Sequence, residues 1–153
     1  MCSSDLDQRT SRQAQSVAGP AFPGLLEGLK KSRGCLGIET ALTSSGKNVV
    51  FAWFEDKDAV LEWYYSDVHQ ELMDKFFPDR ENREPLDDVP DGAGPIMAIA
   101  SISMTKQPQV EGTSLPISQI AIELYAPVTG GLALGGRFAP NSVKVKNLRS
   151  YDK

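Results

Sequence analysis

Apolar residues recur along the chain at two spacings, one typical of helices and one typical of strands. Leu25 and Leu29 belong to an apolar stripe at helical spacing, and the helix they predict begins at Phe22-Pro23 and ends before Gly34. Runs in which every second residue is apolar predict strands. The predicted order is helix, strand, strand, helix, strand, strand, strand, at residues 22–33, 35–43, 48–54, 56–77, 96–104, 118–125 and 143–148.

The stretch Val49–Phe77 holds both tryptophans and the only histidine of the chain. A strand that ends near Trp53 leads into a long helix, and one face of this helix is predicted to face the core. That face carries Leu61, Tyr65, Val68, Leu72 and Phe76. Trp63 lies nearly opposite Leu61 on the helical wheel, so we expect it to meet solvent, another subunit or a ligand.

Polar and small residues mark the ends of these elements. Asp56 or Asp58 caps the start of the long helix, because a carboxylate there satisfies unpaired backbone N–H groups. Ser66-Asp67 can cap a second segment and kink the helix, and Gly46 supplies the positive φ of a hairpin turn. The polar stretch Asp79–Pro95 is either a mobile lid or a plain connection.

The later part of the chain predicts three more strands. Ile96–Met104 alternates small and large apolar residues, which indicates a strand buried on both faces, and Ser118–Tyr125 alternates most clearly. Val143–Leu148 carries alternating lysines, which favour the edge of a sheet. Gly130-Gly131 and Gly135-Gly136-Arg137 form either a backbone nest for an anion or a tight connection, and the missing helix favours the connection.

Size and composition restrict the class of protein. The 153 residues fit a polar N-terminal arm at 1–21 and a single domain at 22–150. A net charge of -4 argues against non-specific nucleic-acid binding, and no apolar run is long enough to predict a membrane span. Cys2 and Cys35 have neither metal-ligand nor redox-motif spacing, which favours a reducing, cytoplasmic location and no metal site. We expect Cys35 to be a buried apolar residue.

His69 is the candidate catalytic residue, because imidazole titrates near neutral pH and can donate or accept a proton at the rim of a pocket. The alternative is a histidine at the edge of the core with a hydrogen bond and no further role. Trp63, Tyr64 and Tyr65 are candidates for stacking on a flat aromatic ligand, and Trp53, at a strand end close in sequence, is a further candidate for contact with it. Aromatic residues at helical spacing are more often part of a core or a dimer interface, and that interpretation stays open.

One family shows the same sequence of features. A helix ends before Gly34–Gly37, a hairpin follows, one strand ends in Trp53, and Trp63 and Ser66-Asp67 lie on the next helix. In this order the stretch resembles the antibiotic-biosynthesis-monooxygenase-like domains of the dimeric α+β barrel superfamily, over roughly a third of the chain. The resemblance implies an α+β fold with a ferredoxin-like antiparallel sheet, helices on one face, and a homodimer formed by packing two sheets together. The extra C-terminal strands depart from it.

The resemblance also implies a chemistry. Its cofactor-independent members oxidise small aromatic or quinol-type substrates, so we expect no cofactor and a small hydrophobic or aromatic ligand beside His69. The histidine of the haem-degrading members falls on Met73, so Met73 is predicted to contact a ligand and haem degradation is not expected. The non-catalytic alternative is a dimeric barrel that binds a small ligand or partner, as stress-response relatives do.

The first strand of that family has no counterpart in residues 1–21. In the family it lies between the third and fourth strands, antiparallel to both. We therefore expect Ser118–Tyr125 to occupy this position, paired with Ile96–Met104, because a strand there leaves no unpaired backbone groups.

Overall fold

The computed structural model describes residues 24–81 and 83–151. The predicted arm, Cys2 and the helix start at Phe22-Pro23 lie outside these residues. The described elements are α1 (Leu25–Lys31), β1 (Cys35–Leu42), β2 (Asn48–Phe54), α2 (Lys57–Tyr64), α3 (Asp67–Phe76), β3 (Ile96–Met104), β4 (Ile117–Tyr125), β5 (Leu132–Ala133) and β6 (Arg149–Ser150). This composition confirms the α+β class.

Caps explain where the helices begin and end. The Asp56 side chain accepts a hydrogen bond from the backbone N–H of Ala59 at 2.9 Å, so Asp56 caps α2. Ser66 caps α3 by accepting from the N–H of His69 at 3.3 Å, which confirms a break in the predicted long helix at Ser66-Asp67. Gly34 follows α1 with φ +82°, a left-handed conformation that glycine adopts without strain.

The break in the helix corrects the predicted core face. Tyr65 is the residue that follows α2, and it is 57% exposed rather than buried. The buried residues of α2 are Ala59 and Val60, and Trp63 packs beside them instead of Leu61. Leu72 and Phe76 do pack against a second core cluster, as predicted. The prediction was wrong for Tyr65, because it extended one helical periodicity through a change of helix direction.

Four strands form one antiparallel sheet in the order β1-β2-β3-β4. β4 pairs with β3 along its length, as predicted. β2 pairs directly with β3, so β3 itself takes the inner position and β4 lies at the edge. The prediction that Ser118–Tyr125 fills an inner position was therefore wrong. The burial of β3 on both faces was also overestimated, because most of its residues are only half-buried.

The two faces of the sheet are covered by different parts of the chain. On one face Val50, Ala52 and Phe54 of β2 form a core cluster with residues of the helices. On the opposite face, the ring of Phe138 meets the rings of Phe51 and Trp53 edge-on, at centroid distances of 4.9 and 5.2 Å. The segment after β4 therefore folds back over the face that the helices leave open.

This C-terminal segment is mostly irregular. Residues 143–148 form no strand, so the prediction of an edge strand there was wrong; Val143 is instead buried and only 1% exposed. The Arg137 guanidinium donates to the carbonyl oxygens of Asn141 and Val143, and the Gly130 N–H donates to Lys146. These hydrogen bonds stabilise a tight connection, which the sequence favoured over a backbone nest for an anion.

Candidate ligand cavity between the sheet and the helices

A cavity of about 580 Å³ lies between the sheet and the helices. Its floor is the face of the sheet that carries Val50 and Ala52, and its wall includes residues from all three described helices. Almost every side chain in the lining is apolar. His69 is the exception that contributes an imidazole ring, which can donate or accept a proton. Pockets of this size and character commonly hold small organic molecules.

Small side chains at the centre of the sheet make room for the cavity. Ala52 of β2 and Ala98 of β3 are direct cross-strand partners, and Ala100 follows on the same face opposite Val50. All three alanines line the cavity. Because a methyl group projects only a short way from the sheet, larger side chains of the helices opposite do not reach the floor.

His69 is held by the end of the preceding helix. Its Nδ1 lies 2.9 Å from the carbonyl oxygen of Tyr64, which also accepts a hydrogen bond from Gln70 Nε2 at 2.6 Å. A carbonyl oxygen only accepts, so His69 Nδ1 carries a proton in this contact. The ring also packs against Trp63 and Tyr64, at centroid distances of 5.5 and 5.0 Å.

The surroundings of His69 favour its neutral form. Burial is the main cause that lowers the pKa of His69 below its ordinary value of 6.5; the contact with the Tyr64 carbonyl opposes this change, and the positive charge of Arg80 adds to it. Arg80 donates to Asp74 at 2.9 Å and to Gln70 at 3.3 Å. At neutral pH the imidazole is therefore uncharged, with its lone pair on Nε2.

The loop after α3 covers part of the cavity. Pro85 and Leu86 line it, and Leu86 has a positive φ of 66°. Lys57 holds the loop in place, because its Nζ donates to the Val89 carbonyl at 2.8 Å and to Asp91 at 3.1 Å. Residues 85–91 thus form a strap across the cavity rather than a purely solvated connection.

The structure brings together three of the five residues predicted for a site. Trp63, His69 and Met73 all line the cavity. Trp53 lies on the opposite face of the sheet, where it stacks with Phe51 and meets Phe138 edge-on. Tyr65 is exposed to solvent, so neither residue borders this cavity. Their separation follows from strand alternation in β2 and from the helix break after Tyr64.

Sequence reasoning missed other residues of the lining. Leu86 and the three alanines were not singled out, although the small residues of Ile96–Met104 were visible as an alternation of small and large side chains. That alternation indicated a strand, but it could not show that the space above Ala98 and Ala100 stays open. Tyr64 was named as a stacking residue and does line the cavity.

Within the described residues, no group of three or more histidine, cysteine or acidic side chains is placed to hold a metal ion. Cys35 is half-buried against the core cluster, and burial raises the pKa of its thiol above the ordinary value. This agrees with the packing role expected for it. None of the three described helices is long and apolar enough to cross a membrane.

No family model, no curated protein and no solved structure matches this chain.

Proposed function

We propose that the protein binds a small, largely apolar molecule in the cavity between the sheet and the helices. The observation that carries the proposal is a cavity of about 580 Å³ whose lining is apolar except at a few points. Removing apolar surface from water provides affinity of roughly 25 cal/mol per Å² before the costs of association. The aromatic rings of Trp63 and Tyr64 in the wall favour a flat or aromatic ligand.

The two tryptophans allow a test of binding in this cavity, because Trp63 lines it and Trp53 lies on the opposite face of the sheet. Bromine quenches indole fluorescence only near contact, so 4-bromotoluene is a suitable apolar probe. We expect it to quench Trp63 in the variant Trp53→Phe and to leave Trp53 unquenched in the matched variant Trp63→Phe. Quenching of neither tryptophan, or equal quenching of both, would contradict binding in this cavity.

A reaction in this cavity is our candidate activity: cofactor-independent monooxygenation of a small aromatic or quinol-type substrate, with His69 as general base. The supporting observation is the neutral ring of His69 at an apolar wall, with Nδ1 anchored on Tyr64. Nε2 would take the proton from an acidic C–H or O–H. The resulting anion, a carbanion from a C–H or a phenolate from an O–H, reduces O₂; for an anthrone, the CH₂ group becomes a carbonyl with one oxygen atom and the other oxygen atom leaves as water with its two hydrogens.

Oxygen consumption with a panel of anthrones and quinols tests the reaction. We expect turnover that falls by roughly 10²-fold or more in His69→Ala, the usual contribution of a general base. The matched variant Tyr65→Phe, at an exposed position outside the cavity, should keep its rate. Binding without oxygen consumption would instead support the non-catalytic alternative, a module that binds a small ligand or a partner.

The family resemblance remains part of this proposal: an antibiotic-biosynthesis-monooxygenase-like domain with a ferredoxin-like sheet that forms a homodimeric α+β barrel. The antiparallel sheet and the break at Ser66-Asp67 support it. The face of β2 that points away from the helices is covered by Phe138 of the same chain. A dimer formed through that face alone would therefore bury less apolar surface than expected. The edge strand β4 offers the better surface.

A second copy paired with β4 suits the exposed side chains of that strand. Ile122 is 64% exposed and Leu124 42% exposed, on the face that borders the cavity. An antiparallel, two-fold pairing centred on Ala121 places Ile120 beside Ile122 of the second copy and Gln119 beside Glu123, which avoids two opposed carboxylates.

The mass in solution tests this dimer. Light scattering after size-exclusion chromatography should give twice the mass of one chain at micromolar concentration. The variant Ile122→Lys should give a monomer, and Val128→Lys, at an 85% exposed position beyond β4, should stay a dimer. A monomeric wild-type chain would overturn the proposal.

A further inference from the structure

We propose that the ligand of the cavity carries a hydroxyl group, and that His69 Nε2 accepts the hydrogen bond from it. The inference rests on the proposed binding function and names the ligand class of that same site: a phenol or an aromatic alcohol. It follows from the contact that fixes the proton of the histidine ring on Nδ1.

The Tyr64 carbonyl decides which nitrogen of His69 can accept. That oxygen has no proton to give, so the contact of 2.9 Å requires a proton on Nδ1. In the neutral ring the other nitrogen, Nε2, then has a lone pair and no proton. A ligand oxygen without a hydrogen would face this lone pair with repulsion, whereas a hydroxyl group would donate to it.

Nε2 is accessible to a ligand. Among the described residues, none bonds to this nitrogen, and no buried nitrogen or oxygen of a side chain is without a partner. Nε2 therefore meets open space, and His69 is one of the residues that line the cavity. An apolar molecule that filled the cavity would displace water from Nε2 without replacing its hydrogen bond, which costs affinity.

The side chains around His69 in the cavity wall favour an aromatic ligand. Trp63 and Tyr64 both contact the His69 ring and both line the cavity. A ring that packs on these side chains and carries a hydroxyl substituent can bury its apolar surface and pair its oxygen at once. Its O–H group would be oriented by Nε2, whose position is fixed through Nδ1.

The binding test compares two probes that differ in one group, 4-bromophenol and 4-bromoanisole, by quenching of Trp63 in the Trp53→Phe background. We expect the phenol to bind roughly threefold to tenfold more tightly than the methyl ether, the effect of one neutral hydrogen bond. Adding His69→Leu should abolish the preference while both probes still bind. Adding His69→Gln should restore part of it, because the amide oxygen accepts a hydrogen bond.

The outcomes separate this inference from the proposed function. If both probes bind with equal affinity, the hydroxyl inference fails and the apolar binding site stands. If neither probe binds, both fail. A preference that persists in His69→Leu would also overturn the role of His69.

The proton position can be measured directly, because His69 is the only histidine of the chain. Long-range ¹H–¹⁵N spectra of the free protein at neutral pH should show one neutral imidazole, protonated at Nδ1. Titration with 4-bromophenol should shift the Nε2 resonance, and 4-bromoanisole should shift it less. A ring protonated at Nε2 would contradict the inference irrespective of any binding result.

Discussion

The two faces of the central sheet receive side chains from the same strands but differ in how they are filled. On the face toward the helices, Ala52, Ala98 and Ala100 leave a cavity above the sheet. On the opposite face, Trp53 is 3% exposed and its ring meets Phe138 edge-on. The covering elements explain the difference: rigid helices stand away from small residues, whereas an irregular segment can follow large ones closely.

This comparison separates stability from binding. A closely packed face contributes to stability through dispersion and burial, and a substitution there leaves a void. An open apolar face contributes less to stability and provides surface for a ligand. We therefore expect substitutions on the sheet face opposite the helices to change mainly the free energy of unfolding. Substitutions in the cavity should change mainly the affinity for the ligand.

The largest expected effect is on the closely packed face. Trp53→Ala should lower the free energy of unfolding by about 3–5 kcal/mol, because it removes a nearly fully buried indole. The matched variant Trp63→Ala removes a half-buried indole beside an existing cavity and should cost clearly less. Urea unfolding followed by circular dichroism measures both. Equal losses would show that the two faces are packed alike.

The strap over the cavity should give the next largest effect. Lys57→Met removes the donor to the Val89 carbonyl and should lower the free energy of unfolding by about 1–2 kcal/mol. It should also increase the rate at which 4-bromotoluene leaves the cavity, measured by stopped-flow fluorescence. Asp91→Ala is the control, since the Asp91 side chain is 96% exposed and an exposed ion pair contributes about 0–1 kcal/mol. Unchanged dissociation in Lys57→Met would show that the strap does not retain the ligand.

Filling the cavity should have a smaller effect of opposite sign. Ala100→Leu places apolar atoms in open space and should raise the free energy of unfolding by about 0.5–1 kcal/mol while abolishing binding of 4-bromotoluene. Ala121→Leu, on the other face opposite Ser101, is the control and should leave binding unchanged. Destabilisation of 1–3 kcal/mol by Ala100→Leu would indicate a filled core instead of a cavity.

The smallest expected effect is the pH dependence that His69 introduces. Its pKa is lowered on folding, so the unfolded chain binds more protons as the pH falls below about 6.5. The free energy of unfolding should therefore be fully maintained above that pH and should decrease as the pH falls toward the lowered pKa. The difference between wild type and His69→Gln, followed by urea unfolding between pH 7.5 and 5, isolates this contribution. A difference that grows in favour of wild type at low pH would contradict the lowered pKa.

Much of the secondary structure could be predicted because its signals are local. The cap at Asp56, the break at Ser66 and the turn at Gly46 each depend on residues within a few positions of one another. The predicted strand at 143–148 failed because alternating lysines also suit an exposed loop, and the burial of Val143 depends on distant parts of the chain. The position of β4 at the edge was likewise a matter of long-range pairing.

The candidate site was predicted in part. Residues on α2 and α3 near the helix break, Trp63, His69 and Met73, do share one cavity, and a site near His69 was the expectation. Trp53 was grouped with them because it is close in sequence. Strand alternation sends it to the other face, and no local pattern states which face of β2 the helices will cover.

The sequence alone determined most of the elements, the caps at Asp56 and Ser66, and the alternation that divides each strand into two faces, since these depend on backbone conformation and neighbouring side chains. Only the tertiary structure decided which face Phe138 fills and which stays open above Ala52, Ala98 and Ala100. The space between a sheet and a helix layer depends on many contacts between distant residues. The orientation of His69 joins both levels: Ser66 begins the helix locally, and the Tyr64 carbonyl at the end of the preceding helix fixes the ring.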